Sequence, residues 1–216
     1  MKILLGGLKK MDTNYEEFKK LIEELKTKEV KPTLLLHSCC GPCSSHILMM
    51  LKDAFDISVL YYNPNIYPEA EFDKRVFYQQ KIIDAVDSNI KLIVEKDSHD
   101  VFLEAVKEYA TLGEGSLRCY NCYEFRIKHL ADMAKEKRFD YYSTVMSVSP
   151  YKNSDWINEI LKKYESENTK ALYSNFKKEN GYQKTIEYSI KYDLYRQDWC
   201  GCEYSLKEHE ERMKVS

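Results

Sequence analysis

The seven cysteines of this chain of 216 residues fall into three tight groups. The groups are Cys39, Cys40 and Cys43; Cys119 and Cys122; and Cys200 and Cys202. Thiolates at such short spacings are typical ligands of zinc, iron or iron–sulfur clusters, and they also form redox-active dithiols. An odd number of cysteines in a chain without an export signal argues against a disulfide framework. The cysteines therefore favour a reducing cytoplasm and metal or redox chemistry.

The number of thiols predicts two metal centres. One tetrahedral metal or one [4Fe–4S] cluster takes four thiolates, which leaves three for a second metal with an open position. Cys119 and Cys122, three residues apart on a helix, suit the cluster. Cys39 and Cys40 are adjacent, and neighbours in extended backbone point in opposite directions. We therefore expect one of them to face each metal.

The spacing of these cysteines is also compatible with other metal sites and with redox catalysis. Two zinc sites would suit all-thiolate surroundings equally well. A dithiol oxidoreductase could use Cys40 and Cys43, because a helix N-terminus after Pro42 would lower a thiol pKa. That reading leaves Cys200 and Cys202 without a role. A radical enzyme would need a CxxxCxxC motif. Cys39 and Cys43 supply its first two cysteines, but His46 stands where the third would be, so this class is excluded.

Composition bounds the class of protein. Apolar residues make up 44% of the chain, which indicates a folded core, and no apolar run approaches the roughly 20 residues of a membrane span. We interpret the start, MKILLGGLKKMD, as mature sequence rather than a signal peptide. The net charge of −2 does not indicate a nucleic-acid binder, although a local basic face is compatible with it. No membrane partner is expected.

Hydrophobic periodicity predicts the elements that position these cysteines. Short apolar runs predict strands, and 3.6-residue periodicity predicts helices between them. The predicted strands are 33–37, 57–63, 90–95 and 139–146, and the predicted helices are 13–29, 44–54, 68–87, 98–110, 119–137, 153–167 and 181–192. Thr13 and Glu16 resemble a capping box at the start of the first helix. This alternation predicts an α/β fold: a Rossmann-like parallel sheet with helices on both faces and a mostly helical C-terminal extension.

Three loops that leave the carboxyl ends of predicted strands should converge at one edge of the sheet. They are HSCCGPCS, YYNPNIYP and SVSPYKN. We expect one domain over residues 1–216, with a helical segment at 1–32, an α/β core at 33–150 and a helical part at 151–216 that carries the last cysteine pair.

Four motifs together resemble the epoxyqueuosine reductases of the QueH type, over roughly residues 33–205. They are LLLHSCCGPCS, YYNPNIYP with Arg75 downstream, RCYNCYEFR and YRQDWCGCEYS. The resemblance implies a HUP-type nucleotide-binding fold without ATP use and reduction of epoxyqueuosine to queuosine at the tRNA wobble position. It also implies a [4Fe–4S] cluster, a neighbouring mononuclear iron, no cobalamin, an external electron donor and a cytoplasmic location. There are two alternatives. One is an iron–sulfur tRNA thiolation enzyme, which would require an ATP-binding SGGxDS-like loop in place of HSCCGPCS. The other is a zinc-binding module that binds RNA or protein.

The resemblance also suggests roles for individual residues. The acid that protonates the released oxygen has three candidates: Tyr62, Tyr67 and His37. His37 also suits a satisfied histidine at a strand end. Phosphate contact or framing of the cluster is expected of the cations Arg75, Arg118, Arg126, Lys152 and Arg196. Trp199 would stack on the modified base or shield the cluster. Some members carry Asp where Cys43 stands, which places Cys43 with the mononuclear iron.

Overall fold

The fold is known from a computed structural model that describes residues 2–173 and 175–215, with side chains described over 14–173 and 175–214. The strands are β1 Thr33–His37, β2 Asp56–Tyr62, β3 Lys91–Glu95, β4 Tyr141–Thr144 and β5 Lys170–Ala171. The helices are α1 Lys2–Lys26, α2 Gly41–Leu51, α3 Glu69–Val86, α4 His99–Val106, α5 Leu117–Glu136, α6 Ser154–Lys163, α7 Gly181–Lys191 and α8 Glu203–Val215.

The five strands form one parallel sheet in the order β3-β2-β1-β4-β5. Strand β1 lies at the centre, and Leu36 pairs in register with Val59 on one side and Ser143 on the other. Every connection between neighbouring strands therefore crosses over the sheet, and the carboxyl ends of the strands lie at a common edge. The α/β class predicted from the sequence is confirmed.

The two faces of the sheet bury two separate apolar clusters. Leu34 and Leu36 point to the face covered by α1 and α2, whereas Leu35 points to the face covered by α5 and α6. All three leucines are fully buried. This alternation is the period-2 pattern of a strand covered on both sides, and it explains why TLLLH is continuously apolar.

Several sequence predictions differ from the structure. Helix α1 begins well before Thr13, so Thr13 and Glu16 lie inside the helix rather than at its start. Strand β4 ends at Thr144, and the next four residues form a 3₁₀ turn. The two-residue strand β5 and helix α8 were not predicted. Helix α7 packs on α2, so the C-terminal part contacts the core, and the single domain stays a prediction.

Among the described helices, none combines the length and the apolar character that a membrane crossing requires.

Candidate metal centre

The first cysteine group lies at the junction of β1 and α2. Cys40 is the N-cap of α2, and its Sγ accepts a hydrogen bond from the backbone N–H of Cys43 at 3.4 Å. The Sγ atoms of Cys39, Cys40 and Cys43 all lie within 4.8 Å of one another. A tetrahedral metal with metal–sulfur bonds of about 2.3 Å separates its sulfurs by about 3.8 Å. These three thiols, here called the three-thiol group, therefore suit a single metal ion.

The close packing of these thiols separates their acidities. Hydrogen bonds from Cys40 and Cys43 lower the pKa of Cys39, and Lys152 and Arg126 act in the same direction. Burial raises the pKa of Cys40 to about 12. The dithiol reading required the helix N-terminus to activate Cys40 or Cys43, but the pKa of each is raised. Cys39 is thus the most readily ionised member of the group.

The second cysteine group lies on the first turns of α5. Ser116 caps this helix by accepting the backbone N–H of Arg118, and the backbone N–H of Gly115 donates to Cys119 Sγ at 3.3 Å. Cys122 follows one turn later, on the same face of the helix. Burial raises the pKa of Cys122 to about 12. A bound metal is therefore needed to hold this thiol as a thiolate at neutral pH.

The third group is a tight turn that buried contacts hold against the sheet edge. Gly201 has a φ of +120°, and its carbonyl accepts the backbone N–H of Tyr67 at 2.8 Å. Arg75, which is 1% exposed, donates from Nη1 to the carbonyl of Cys200 at 3.1 Å. The backbone N–H of Ser205, on the first turn of α8, donates to Cys202 Sγ at 3.4 Å. Contacts from α3, from the loop after β2 and from α8 thus fix this turn.

The second and third groups together line one small cavity, and its four thiols are here called the four-thiol group. Its members are Cys119, Cys122, Cys200 and Cys202. Among the described residues, no three of these sulfurs lie within 4.8 Å of one another, because only the three-thiol group meets that limit. The wider spacing suits a larger centre, such as an iron–sulfur cluster, better than a single ion. Within the described part of the chain, the carboxamide Oδ1 of buried Asn65, which also lines this cavity, has no hydrogen-bond partner.

Two cations interact electrostatically with both thiol groups. Burial opposes the charge of Arg126, but Cys122, Cys39 and Cys200 outweigh it and raise the pKa of Arg126. Burial likewise opposes the charge of Lys152, but Cys200 and Cys39 raise its pKa overall. Both residues interact with a sulfur of each group, so the two groups share one electrostatic environment.

A pocket of about 330 Å³ opens beside the thiols. Cys39, Cys43 and Cys200 line it on the sulfur side, together with Lys152. The part formed by residues 182–212 consists of polar and aromatic side chains: Tyr182, Thr185, Arg196, Gln197, Asp198, Trp199, His209 and Arg212. This is a concave, mixed polar and apolar site with thiols from both groups at its wall.

Comparison with known proteins decides which family this arrangement represents. The family model described as "Epoxyqueuosine reductase QueH" matches residues 34–208. This chain belongs to the epoxyqueuosine reductase QueH family. It is 35% identical to the epoxyqueuosine reductase QueH of Streptococcus pyogenes over 200 residues, which cover 90% of this chain and 78% of the relative. It is 34% identical to that of Staphylococcus aureus (95% and 89% covered) and 34% identical to that of Thermotoga maritima (83% and 93% covered).

Among solved structures, the U34-tRNA thiolase NcsA from Methanococcus maripaludis with its [4Fe-4S] cluster aligns with a TM-score of 0.49 at 11% identity. The alignment covers 94% of this chain and 72% of that chain.

The QueH motifs supply the cysteines, but the structure separates the predicted proton donors from the pocket. His37 is fully buried between Thr144 Oγ1 (2.9 Å) and the Tyr62 carbonyl (3.2 Å), and burial lowers its pKa to about 4. The Tyr62 ring stacks on His129, and its hydroxyl donates to Asp97. None of these residues is among the described residues that line the pocket, and neither is Tyr67. The three candidates therefore lie outside the lining of this pocket, and a proton-donating role for any of them stays a prediction.

The structure divides the predicted substrate-binding cations into two sets. Lys152 and Arg196 line the pocket, whereas Arg75, Arg118 and Arg126 are at most 5% exposed. Arg75 pairs with Glu71 at 2.6 Å, and Arg118 pairs with Glu208 at 2.7 Å. For the buried arginines, the geometry favours framing the sulfur centres over phosphate contact.

Trp199 lines the pocket, where its ring stacks on His209 with 6.1 Å between centroids. The guanidinium of Arg75 lies over the same ring at 5.7 Å. Both predicted roles, stacking on a base and shielding the sulfurs, are compatible with this position. His209 and Arg212 were missed because α8 was not predicted. Tyr182 and Thr185 lie in the stretch GYQKTIEYS, for which no site role was predicted. The positive and aromatic residues of α8 were the available signal.

The structure also differs from the prediction that Cys39 and Cys40 face apart. That prediction assumed regular extended backbone, but β1 ends at His37 and the chain turns into α2. The hydrogen bond from Cys43 N–H draws the Cys40 sulfur towards the helix N-terminus and next to its neighbours.

Proposed function

We propose that this protein reduces epoxyqueuosine to queuosine at the wobble position of tRNA, and its relatives are named epoxyqueuosine reductases. One observation carries the proposal: every cysteine of the QueH motifs lies at one edge of the sheet, in two groups that meet at a single pocket. The overall change converts the epoxide to a carbon–carbon double bond. It consumes two electrons and two protons and releases the oxygen as water.

We assign a [4Fe–4S] cluster to the four-thiol group and a mononuclear iron to the three-thiol group. Four thiolates with wide spacing and three with close spacing fit these two centres in number and size. Cys43 then belongs to the mononuclear iron. When bound, such centres would supply single electrons and a Lewis-acidic position.

The protein side chains position and polarise the substrate. Lys152 lies on the pocket wall beside Cys39 and Cys43, where its ammonium would donate a hydrogen bond to the epoxide oxygen as negative charge develops there. Trp199 offers its ring to the modified base. Arg196 donates hydrogen bonds to the hydroxyls of Ser189 and Tyr182, and its positive charge would contact a backbone phosphate of the tRNA next to the modified base.

The partners follow from this chemistry. The substrate is tRNA that carries epoxyqueuosine, and an external reductant supplies the electrons. Free cysteines throughout the chain and a tRNA substrate both fit a cytoplasmic protein.

The decisive experiment incubates anaerobically reconstituted, reduced protein with epoxyqueuosine-bearing tRNA and analyses the digested nucleosides. Queuosine should appear in proportion to electrons supplied. Absence of queuosine from a protein that holds its iron and sulfide would refute the proposal. A Lys128→Met variant should form queuosine at the wild-type rate, because Lys128 is an exposed lysine paired with Asp132 on the outer surface of α5.

Iron and sulfide analysis of serine variants tests the assignment of the thiols. The loaded wild-type protein should contain about five irons and four sulfides per chain, the sum of a [4Fe–4S] cluster and one iron. Cys202→Ser should lose both iron and sulfide, whereas Cys43→Ser should lose about one iron and keep the sulfide. Full sulfide content in Cys202→Ser would show that Cys202 is not a ligand of the cluster and would contradict this assignment.

A further inference from the structure

Arg126 is a buried cation without a carboxylate partner. It is 1% exposed, and no described carboxylate oxygen lies within 4.0 Å of its guanidinium. The two other buried arginines of the site differ in this respect, because Arg75 pairs with Glu71 and Arg118 pairs with Glu208. An uncompensated charge inside a protein is strongly unfavourable, so a charge of this kind requires an anion that forms part of the working site.

The hydrogen bonds of Arg126 are incomplete. Its Nε donates to the carbonyl of Cys122 at 3.2 Å, and its Nη1 donates to Asn63 Oδ1 at 3.2 Å. Both acceptors are neutral. The remaining terminal nitrogen, Nη2, is buried and has no partner among the side chains and backbone groups that the structure describes. A guanidinium donates through fixed directions, so a buried unpaired N–H group marks the place of a missing acceptor.

Thiols surround that side chain. Arg126 follows Cys119 by seven residues and Cys122 by four, so all three lie on one face of α5. The thiols whose ionised forms raise the pKa of Arg126 are Cys122 and Cys200 of the four-thiol group and Cys39 of the three-thiol group. A thiol that binds a metal becomes a thiolate, so the negative charge that Arg126 lacks arises when the site is loaded.

We propose that Arg126 is a positioning residue for the redox centre: its guanidinium lies between the two thiol groups, and its free Nη2–H donates to a sulfur of the loaded site. This inference rests on the proposed function, because it requires iron at these thiols. A positive charge and an N–H donor next to cluster sulfur favour the reduced form, which carries one more negative charge. Arg126 therefore raises the reduction potential and makes the centre easier to reduce.

The test compares midpoint potentials of anaerobically loaded protein by redox titration followed with electron paramagnetic resonance. In Arg126→Met, the ratio of reduced to oxidised cluster at a fixed potential should fall at least tenfold, which corresponds to about 59 mV for a one-electron couple. Arg126→Lys keeps the charge and should retain most of the potential. Arg118→Met is the matched control, because Glu208 already opposes the Arg118 charge, and it should shift the potential less.

Thermal melting supplies a second readout that does not depend on catalysis. The rise in Tm from metal-free to loaded protein should be smaller in Arg126→Met than in wild type, because the thiolates lose their cation. Arg126→Gln, a neutral side chain that keeps an amide donor, must show the same change and replaces the Met variant if that variant does not fold. An unchanged potential, or equal shifts in Arg118→Met and Arg126→Met, would overturn the inference. A wild-type protein that binds no iron would instead refute the proposed function.

Discussion

Replacing Gly201 by alanine should release the Cys200–Cys202 turn without unfolding the rest of the protein. The φ of +120° at Gly201 is a conformation that residues with a Cβ avoid, at a cost of about 1–3 kcal/mol. A Cβ built there would also lie 2.8 Å from Arg75 Nη1 and 3.2 Å from its Cζ and Nη2. Arg75 cannot move freely, because Glu71 fixes its other edge at 2.6 Å.

The two effects add to a substantial local cost. Displacing Arg75 removes its hydrogen bond to the Cys200 carbonyl, and a hydrogen bond from a charged donor contributes about 1.5–3 kcal/mol. With the backbone strain, the turn loses about 3–6 kcal/mol. Since 1.36 kcal/mol is a factor of ten, its open form should become at least about a hundredfold more populated. Opening of this kind can remain local, because the turn is held by few contacts at the sheet edge.

Thiol alkylation of metal-free protein measures this opening. Buried Cys202 should react with iodoacetamide about a hundredfold faster in Gly201→Ala, while buried Cys40 keeps its rate. Gly113→Ala is the matched control, because a Cβ at Gly113 would meet nothing within 4 Å. Equal alkylation rates in wild type and Gly201→Ala, with the same iron content after loading, would refute this account of the turn.

Further variants test the pocket and the acid stability of the fold. Lys152→Met should lower the rate of a single turnover by about 10²–10³-fold, the usual cost of losing one donor to a developing oxyanion, with little change in tRNA affinity by filter binding. A binding defect that accounts for the whole loss would contradict that role. Burial and Lys184 lower the pKa of His46 to about 4, whereas an unfolded histidine titrates near 6.5. The unfolded chain therefore takes up a proton first as the pH falls, and stability declines from about pH 6.5 towards pH 4. In His46→Gln, the urea unfolding midpoint should fall less between pH 7 and pH 5 than it does in wild type. The same fall in both proteins would contradict the lowered pKa of His46.

Strand periodicity was sufficient to predict the sheet and the edge at which the cysteines meet. TLLLH and the three other predicted strands each contain enough apolar residues to identify a strand. Strand β5 has two residues, which is too short for any periodic signal. Helix α8 is highly charged and lacks a broad apolar stripe, so its sequence does not show which face it turns towards the pocket.

The orientation of individual side chains could not be predicted in the same way. Spacing placed Cys119 and Cys122 on one helical face, but the arrangement of Cys39 and Cys40 depends on where β1 ends and how α2 is capped. Likewise, a motif arginine is equally compatible with a phosphate contact and with a buried pair. The partners Glu71 and Glu208 decide between these roles, and they are four and ninety residues away from their arginines in the sequence.

The cations of this site lie close to its thiols in the fold, and the reason is electrostatic. Arg118 and Arg126 flank the cysteine pair of α5, Arg75 holds the Cys200–Cys202 turn, and Lys152 faces Cys39. Seven thiolates gathered at one edge would repel one another strongly, and the chain as a whole carries a net charge of only −2. Compensation must therefore be local, through cations that are themselves buried. Because each set of charges is unfavourable without the other, metal binding and ordering of this edge should be thermodynamically linked.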